Sequence, residues 1–173
     1  NALITTDTPL IFFSMASAAV LLHADACTDA RRVNVLHALS GLLLGLAFLS
    51  KYFAVVLGLA YAVYFVGWRR ERWPQFLLLV MCALPGPIIN LWWNMGHGWA
   101  NIMFNVLNRN AGEAFSWSKP ALYGLMWLYL LTPVLAVLAF IHRRAWWTGL
   151  RQQPLLLCLA VVPLAFFALL SFK

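Results

Sequence analysis

Six long apolar runs, separated by short polar stretches, dominate this 173-residue sequence. They lie near 9–24, 35–50, 52–67, 74–93, 120–141 and 154–171. A helix rises 1.5 Å per residue, so runs of about 16–22 residues reach roughly 24–33 Å, against a hydrocarbon layer of about 30 Å. Only 10% of residues are charged and 64% are hydrophobic, with a mean hydropathy of +0.81. A soluble core of this size cannot hide so much apolar surface, so lipid must solvate it. The expectation is an all-α, polytopic transmembrane helix bundle of about six spans, with an interfacial helix in one outer loop near 99–109.

Local signals support the boundaries. Pro9, Pro74, Pro120 and Pro154 stand in first turns, where a missing N–H is harmless, and Thr8 and Ser118 lie near the N-caps. Pro133 and Pro163 are expected to kink their spans, and Pro85-Gly86-Pro87 to break the fourth. The second and third runs are short enough to stop at different depths. Cys27, Cys82 and Cys158 match no disulfide or zinc pattern and read as packing residues. With no initial Met and no signal peptide in view, residues 1–173 read as part of a single transmembrane domain of a longer chain.

Charge orients the spans. Arg31 and Arg32 fall between runs one and two, Arg69, Arg70 and Arg72 between three and four, and Arg143, Arg144 and Arg151 between five and six. These loops alternate, so eight arginines share one side, and the positive-inside rule makes that side cytoplasmic. The net charge of +7 thus reflects topology and gives no reason to expect a nucleic-acid partner. His23, His37 and His142 read as residues of the cytoplasmic interface.

The opposite face holds Asp7, Lys51, the 94–119 loop and Lys173. Asp7 heads the first span, where a helix N-terminus favours an anion; it suits a cap or an active-site cavity equally. Lys51, in FLSKYF, interrupts two apolar runs. It either snorkels to the interface or waits at membrane depth for an anionic headgroup. Arg109 is the one arginine of this face, and a guanidinium suits bidentate phosphate contact. His97 lies between Gly96 and Gly98 and fits a phosphate donor, a metal ligand or a water-bonded interfacial ring. Trp92, Trp93, Trp99 and Trp117 make an aromatic belt or stack on a sugar, and Asn90, Asn94, Asn101, Asn105 and Asn108 can bind hydroxyls or exposed backbone. Glu113 reads as a solvated loop acid. No Walker A, dinucleotide fingerprint, HExxH or GxSxG is present, so soluble nucleotide or hydrolase chemistry has no support.

Three stretches in order, ITTDTPLIFFSMASAAVLL, GLLLGLAFLSKYFAVVLGLAY and PIINLWWNMGHGWANIMFNVLNR, resemble polytopic glycosyltransferases of the GT-C superfamily. The chain is most similar to bacterial members related to protein O-mannosyltransferases and lipid A aminoarabinose transferases, and the closing VVPLAFFALLSFK also fits. The resemblance implies an inverting enzyme of the bacterial inner membrane. It would move a sugar from a polyprenyl-phosphate donor to a lipid, glycan or protein acceptor outside the cytoplasm. It places the catalytic base in an outer loop upstream of Asn1. Residue by residue, Asp7 matches the family's Asp-x-Pro near the active-site cavity, and Lys51 a lysine suited to the donor phosphate. His97 and Arg109 match the His and the closing basic residue of the Trp-rich segment, with Asn94 and Trp99 beside them as substrate contacts. The aminoarabinose transferases hold a metal with histidine in this region; with one His in the loop, no metal or other cofactor is assigned. The competing classes are a lipid-linked glycan transporter, for which Ser14, Ser17, Ser40 and Thr132 would have to line a route, and a structural membrane subunit anchored by its Trp-rich loop.

Overall fold

The computed structural model describes residues 7–106, 118–130, 137–138 and 140–171. They belong to two compact units, Asn1–Asn101 and Ile102–Lys173. The first contains α1 (Asp7–Ala26), α2 (Ala30–Ser50), α3 (Ala54–Trp68), a 3-10 turn (Arg70–Arg72), α4 (Trp73–Ala83) and α5 (Pro85–Gly96). A short helix, α6 (Ala100–Val106), falls where the interfacial helix was expected. The second unit contains α7 (Ser118–Leu130), α8 (Arg143–Gln152) and α9 (Pro154–Leu170). Every element among the described residues is helical.

Asp7–Ala26, Ala30–Ser50 and the Arg70–Gly96 stretch are long and apolar enough to cross a bilayer, while α3 and α9 are apolar helices of 15 and 17 residues. The chain is a helical membrane protein. Side chains such as Phe12 (64% exposed), Met15 and Met81 face outward because lipid, unlike water, does not penalise them.

Two boundaries differ from expectation for physical reasons. α2 begins at Ala30, five residues before the second apolar run, since its first turns carry Arg31, Arg32 and Asn34. Asp29 caps it, accepting the Arg31 N–H at 3.3 Å. At 21 residues α2 is therefore full length, and only α3 remains short. The fourth span divides at Leu84, but Leu84 keeps helical dihedrals (φ −54, ψ −33). Its N–H reaches Val80 O at 3.0 Å, and the Ile88 N–H reaches Leu84 O at 3.0 Å. Pro85 and Pro87 remove donors without interrupting the path, so the break is a hinge.

α2 is the hub of the first unit and touches α1, α3, α4 and α5. Glycines permit this. A Cβ at Gly41 would collide with the Leu79 carbonyl, one at Gly45 would lie 2.7 Å from Ala83 O, and one at Gly86 would strike the Gly45 carbonyl. Gly41-Leu-Leu-Leu-Gly45 is thus a small-xxx-small face that brings α2 and the fourth span into backbone contact. Without a hydrophobic driving force in lipid, this close packing and interhelical hydrogen bonds hold the helices together.

Those bonds form a buried seam across α1, α2 and α3. Ser17 Oγ donates to Ser40 O at 2.9 Å and Ser40 Oγ returns a bond to Ser17 O at 3.0 Å. With both serine protons used, the Tyr61 hydroxyl, 3.0 Å away, donates to Ser17 Oγ. All three residues are fully buried. His37 is also buried rather than interfacial: Nδ1–H donates to Val33 O at 2.7 Å and the ring lies against Phe65. Its position about two turns inside α2 explains the difference, because the helix starts earlier than the apolar run.

Gly41→Ala should lower stability by about 1–3 kcal/mol through overpacking. Gly67→Ala, whose Cβ meets nothing within 4 Å, should lose none. Denaturant titration of the full-length protein in detergent micelles distinguishes the two.

Candidate functional site

The antiparallel course of α1 to α5 gathers polar side chains at the two ends of the first unit. One end collects the N-terminus of α1, the α2–α3 junction and the C-terminal half of α5. α2 stops at Ser50 because Lys51 turns to extended backbone (φ −162, ψ 137), its N–H held by Ala47 O at 3.1 Å. This turn sends the Lys51 side chain to α1, where Nζ meets Asp7 Oδ1 at 2.5 Å. Two residues separated by 43 positions, which include two long apolar runs, thus form an ion pair. Lys51 also stands over the Phe53 ring, 5.8 Å from its centre. The lysine side chain is 35% exposed and Asp7 52% exposed, so the pair is reachable from outside.

The next residue carries the network to α5. Tyr52 donates its hydroxyl to Asn90 Oδ1 at 3.0 Å. Asn94 Nδ2 donates to the same oxygen at 3.0 Å and to Asn90 O at 2.8 Å. Asn94 is fully buried, and its Oδ1 has no hydrogen-bond partner. The amide orientation is fixed by those two acceptors, so the unused group is an acceptor awaiting a donor.

α5 ends just beyond. The His97 and Trp99 N–H groups both reach Asn94 O, at 3.1 and 3.0 Å. Gly98 and Trp99 take positive φ, 63° and 60°. Glycine does so freely, whereas the tryptophan is strained, and the reversal launches α6. The His97 ring stacks on Trp93 at 4.0 Å and its Nδ1–H donates to Trp93 O at 2.7 Å. That tautomer leaves Nε2 for a ligand, since the side chain is exposed. Trp99 is 42% exposed. Arg109, Asn108, Glu113, Trp117 and Lys173 lie outside the described residues, as does Thr132. Among the described residues no three His, Cys, Asp or Glu side chains cluster as a metal would need.

Beside this end runs an apolar groove of about 370 Å³, walled by Gly45 and Phe48 of α2, Gly58 and Ala62 of α3, and Ala83 and Leu84 of the fourth span. It exists because small residues face one another across α2, α3 and α4. Phe48 and Ala54, which flank the Lys51 turn in sequence, both line it.

The opposite end holds the arginines. Asp25, at the foot of α1, accepts Arg69 Nη2 at 3.1 Å and lies 3.5 Å from Arg72 Nη1. The Tyr64 hydroxyl accepts Arg69 Nε at 3.1 Å; this bond first, and Asp25 second, push the Arg69 pKa upward. Sequence reasoning missed Asp25. The signal available was an acid among arginines at the end of a span, which lipid would leave unpaired only at high cost. Of the residues that a transport route would need, Ser17 and Ser40 spend their hydroxyls on each other and Tyr61.

The first unit is thus a helical bundle with a cluster of charged and polar side chains at one end and an apolar groove beside it. The chain belongs to the dolichyl-phosphate-mannose-protein mannosyltransferase family, whose model matches residues 1–93. It is therefore a membrane glycosyltransferase of the GT-C type, mannosyltransferase-like. The matched stretch includes Asp7, Lys51, Tyr52 and Asn90 and ends before Asn94. No curated protein and no solved structure matches the chain.

The Asp7–Lys51 pair is more than a third exposed on both sides, so its own stabilisation is small. A double-mutant cycle with Asp7→Ala and Lys51→Ala should give a coupling energy of about 0.2–1 kcal/mol in unfolding experiments. Tyr52→Phe should cost about 1 kcal/mol by removing one of the two hydrogen bonds that Asn90 Oδ1 accepts.

Proposed function

We propose that the end of the bundle containing Asp7 and Lys51 holds the phosphate of a polyprenyl-phosphate sugar donor, and that the enzyme passes the sugar, with inversion, to an acceptor on the extracytoplasmic side of a bacterial inner membrane. The observation that carries this reading is the Asp7–Lys51 pair. It presents an ammonium at the rim of the bilayer, oriented in advance by a carboxylate, where a lipid-anchored phosphate would arrive. The arginine-rich opposite end supports the sidedness through the positive-inside rule.

In the reaction an acceptor hydroxyl oxygen attacks the anomeric carbon from the face opposite the phosphate. The bond from that carbon to the phosphate oxygen breaks, its electron pair passes to the oxygen, and the acceptor proton goes to a carboxylate base. That base lies upstream of Asn1 in the family resemblance. The task of this chain is to stabilise the charge growing on the leaving phosphate. Lys51 supplies a cation, and Arg109, carried over from the family resemblance alone, is proposed as a second; His97 Nε2, an acceptor in the tautomer whose Nδ1–H donates to Trp93 O, would take a hydrogen bond from a sugar hydroxyl. Groups fixed before the reaction stabilise such charge most effectively, because no reorganisation accompanies bond breaking. Asp7 acts as the positioning residue for Lys51. Asn94 Oδ1 offers an acceptor to a sugar hydroxyl, and Trp99 a face for the ring. The apolar groove suits the first isoprene units of the donor, whose headgroup would then rest above Phe48 and Ala54.

In the full-length protein, Lys51→Ala and Arg109→Ala should each reduce transfer from a lipid-linked sugar by about 100-fold or more, the scale on which removing one preorganised electrostatic contact acts. Lys51→Arg should restore part of the Lys51 loss. Unchanged turnover in both alanine variants would remove the phosphate role.

A further inference from the structure

At the arginine-bearing end, the cations differ in what they touch. Arg69 and Arg72 converge on Asp25, and Arg70 Nε donates to Val66 O at 2.6 Å. Among the described residues Arg31 makes no ion pair, and Arg32 pairs with Asp29 alone, at 3.8 Å with both side chains largely in solvent. These two guanidiniums, with His23, Cys27 and Asp29, rim an open cavity of about 570 Å³ at the α1–α2 turn, and Val35 and Leu36 form its apolar wall.

The rest of the face has matching chemistry. Arg31 and Arg32 stand four and three residues before Val35, and Leu39 and Leu42 follow at four and seven residues. At helical spacing these five share one stripe of α2. Val35 is 60% exposed, Leu39 41% and Leu42 49%. From Arg32 to Leu42 the helix rises about 15 Å, roughly half the hydrocarbon thickness. The stripe therefore reads, from the membrane surface inward, as two guanidiniums set against the single carboxylate of Asp29, and then an apolar track one leaflet deep. Topological charge bias requires arginines at this end but neither a cavity nor a track continuous with it.

We propose that this stripe is a binding site for an anionic phospholipid of the leaflet at the arginine end: the phosphate sits between Arg31 and Arg32, and an acyl chain lies along Val35, Leu39 and Leu42. A bidentate guanidinium suits a phosphodiester, and the net positive charge left by Arg31 and Arg32 against Asp29 favours an anionic over a zwitterionic headgroup. The site is separate from the Asp7–Lys51 end and does not depend on the proposed donor chemistry.

The test is thermal unfolding of full-length protein in mild detergent, titrated with phosphatidylglycerol, phosphatidylcholine or inorganic phosphate. A ligand that binds only the folded state raises the unfolding temperature with concentration. Phosphatidylglycerol should stabilise the wild type, phosphatidylcholine should act at least tenfold more weakly, and inorganic phosphate should do nothing. Arg31→Gln/Arg32→Gln should weaken the phosphatidylglycerol response at least tenfold, while Arg143→Gln/Arg144→Gln retains it. If the first variant does not fold, Val35→Glu in the wild-type background should produce the same loss. Equal responses to the two phospholipids, or an undiminished response in the variants, would overturn the proposal. So would failure of Val35→Cys to react with a lipid-soluble maleimide, since another helix or a second copy would then cover the stripe.

Discussion

The approach of α2 to the fourth span at Gly41, Gly45 and Gly86 is the contact on which the remaining arrangement rests. Three backbone-to-backbone contacts, within about one turn of α2 and two turns of the fourth span, leave no room for a Cβ. They fix the depth of α2 relative to α4 and α5, and hence which residues reach each surface together. With α2 in this register, Lys51 emerges level with the head of α1, and Tyr52 level with Asn90. A shift of one helical turn, about 5.4 Å, would separate both pairs beyond hydrogen-bonding distance.

The polar residues of the first unit then fall into three layers, each satisfied in the way its surroundings demand. In the middle, where nothing outside the protein can bond, Ser17, Ser40 and Tyr61 close a reciprocal network. At the arginine end, Asp25 neutralises Arg69 and Arg72. At the other end the pairing is incomplete: Lys51 has a partner but remains partly exposed, Asn94 keeps an unused acceptor, and His97 an unused ring nitrogen. Incomplete satisfaction at a membrane surface is where a polar ligand gains most, which is why this end and not the seam is read as the site.

Much of this was legible in the sequence. Apolar run length gave the first four apolar helical stretches, Pro9 and Pro74 marked the starts of the first and fourth, and the charge pattern predicted that Arg31 and Arg32 would share an end with Arg69, Arg70 and Arg72. The resemblance singled out Asp7 and Lys51, which the structure brings into contact. Other features were hidden because they depend on register between helices. Nothing local in Asp7 or in FLSKYF shows that the acid and the lysine meet across 43 residues. The start of α2 was masked by its polar first turns, so His37 looked interfacial although it is buried. Sequence reasoning missed the small-xxx-small spacing of Gly41 and Gly45, and the Leu79, Ala83 and Gly86 backbone that they meet shows only in the packed bundle.

The central claim is that the Asp7–Lys51 end faces away from the cytoplasm. It is tested by impermeant thiol labelling of intact cells that express the full-length protein with Cys27, Cys82 and Cys158 replaced by Ser. Gly98→Cys should react in intact cells, and Arg70→Cys only after permeabilisation. The reverse pattern would place the polar site inside and contradict the account.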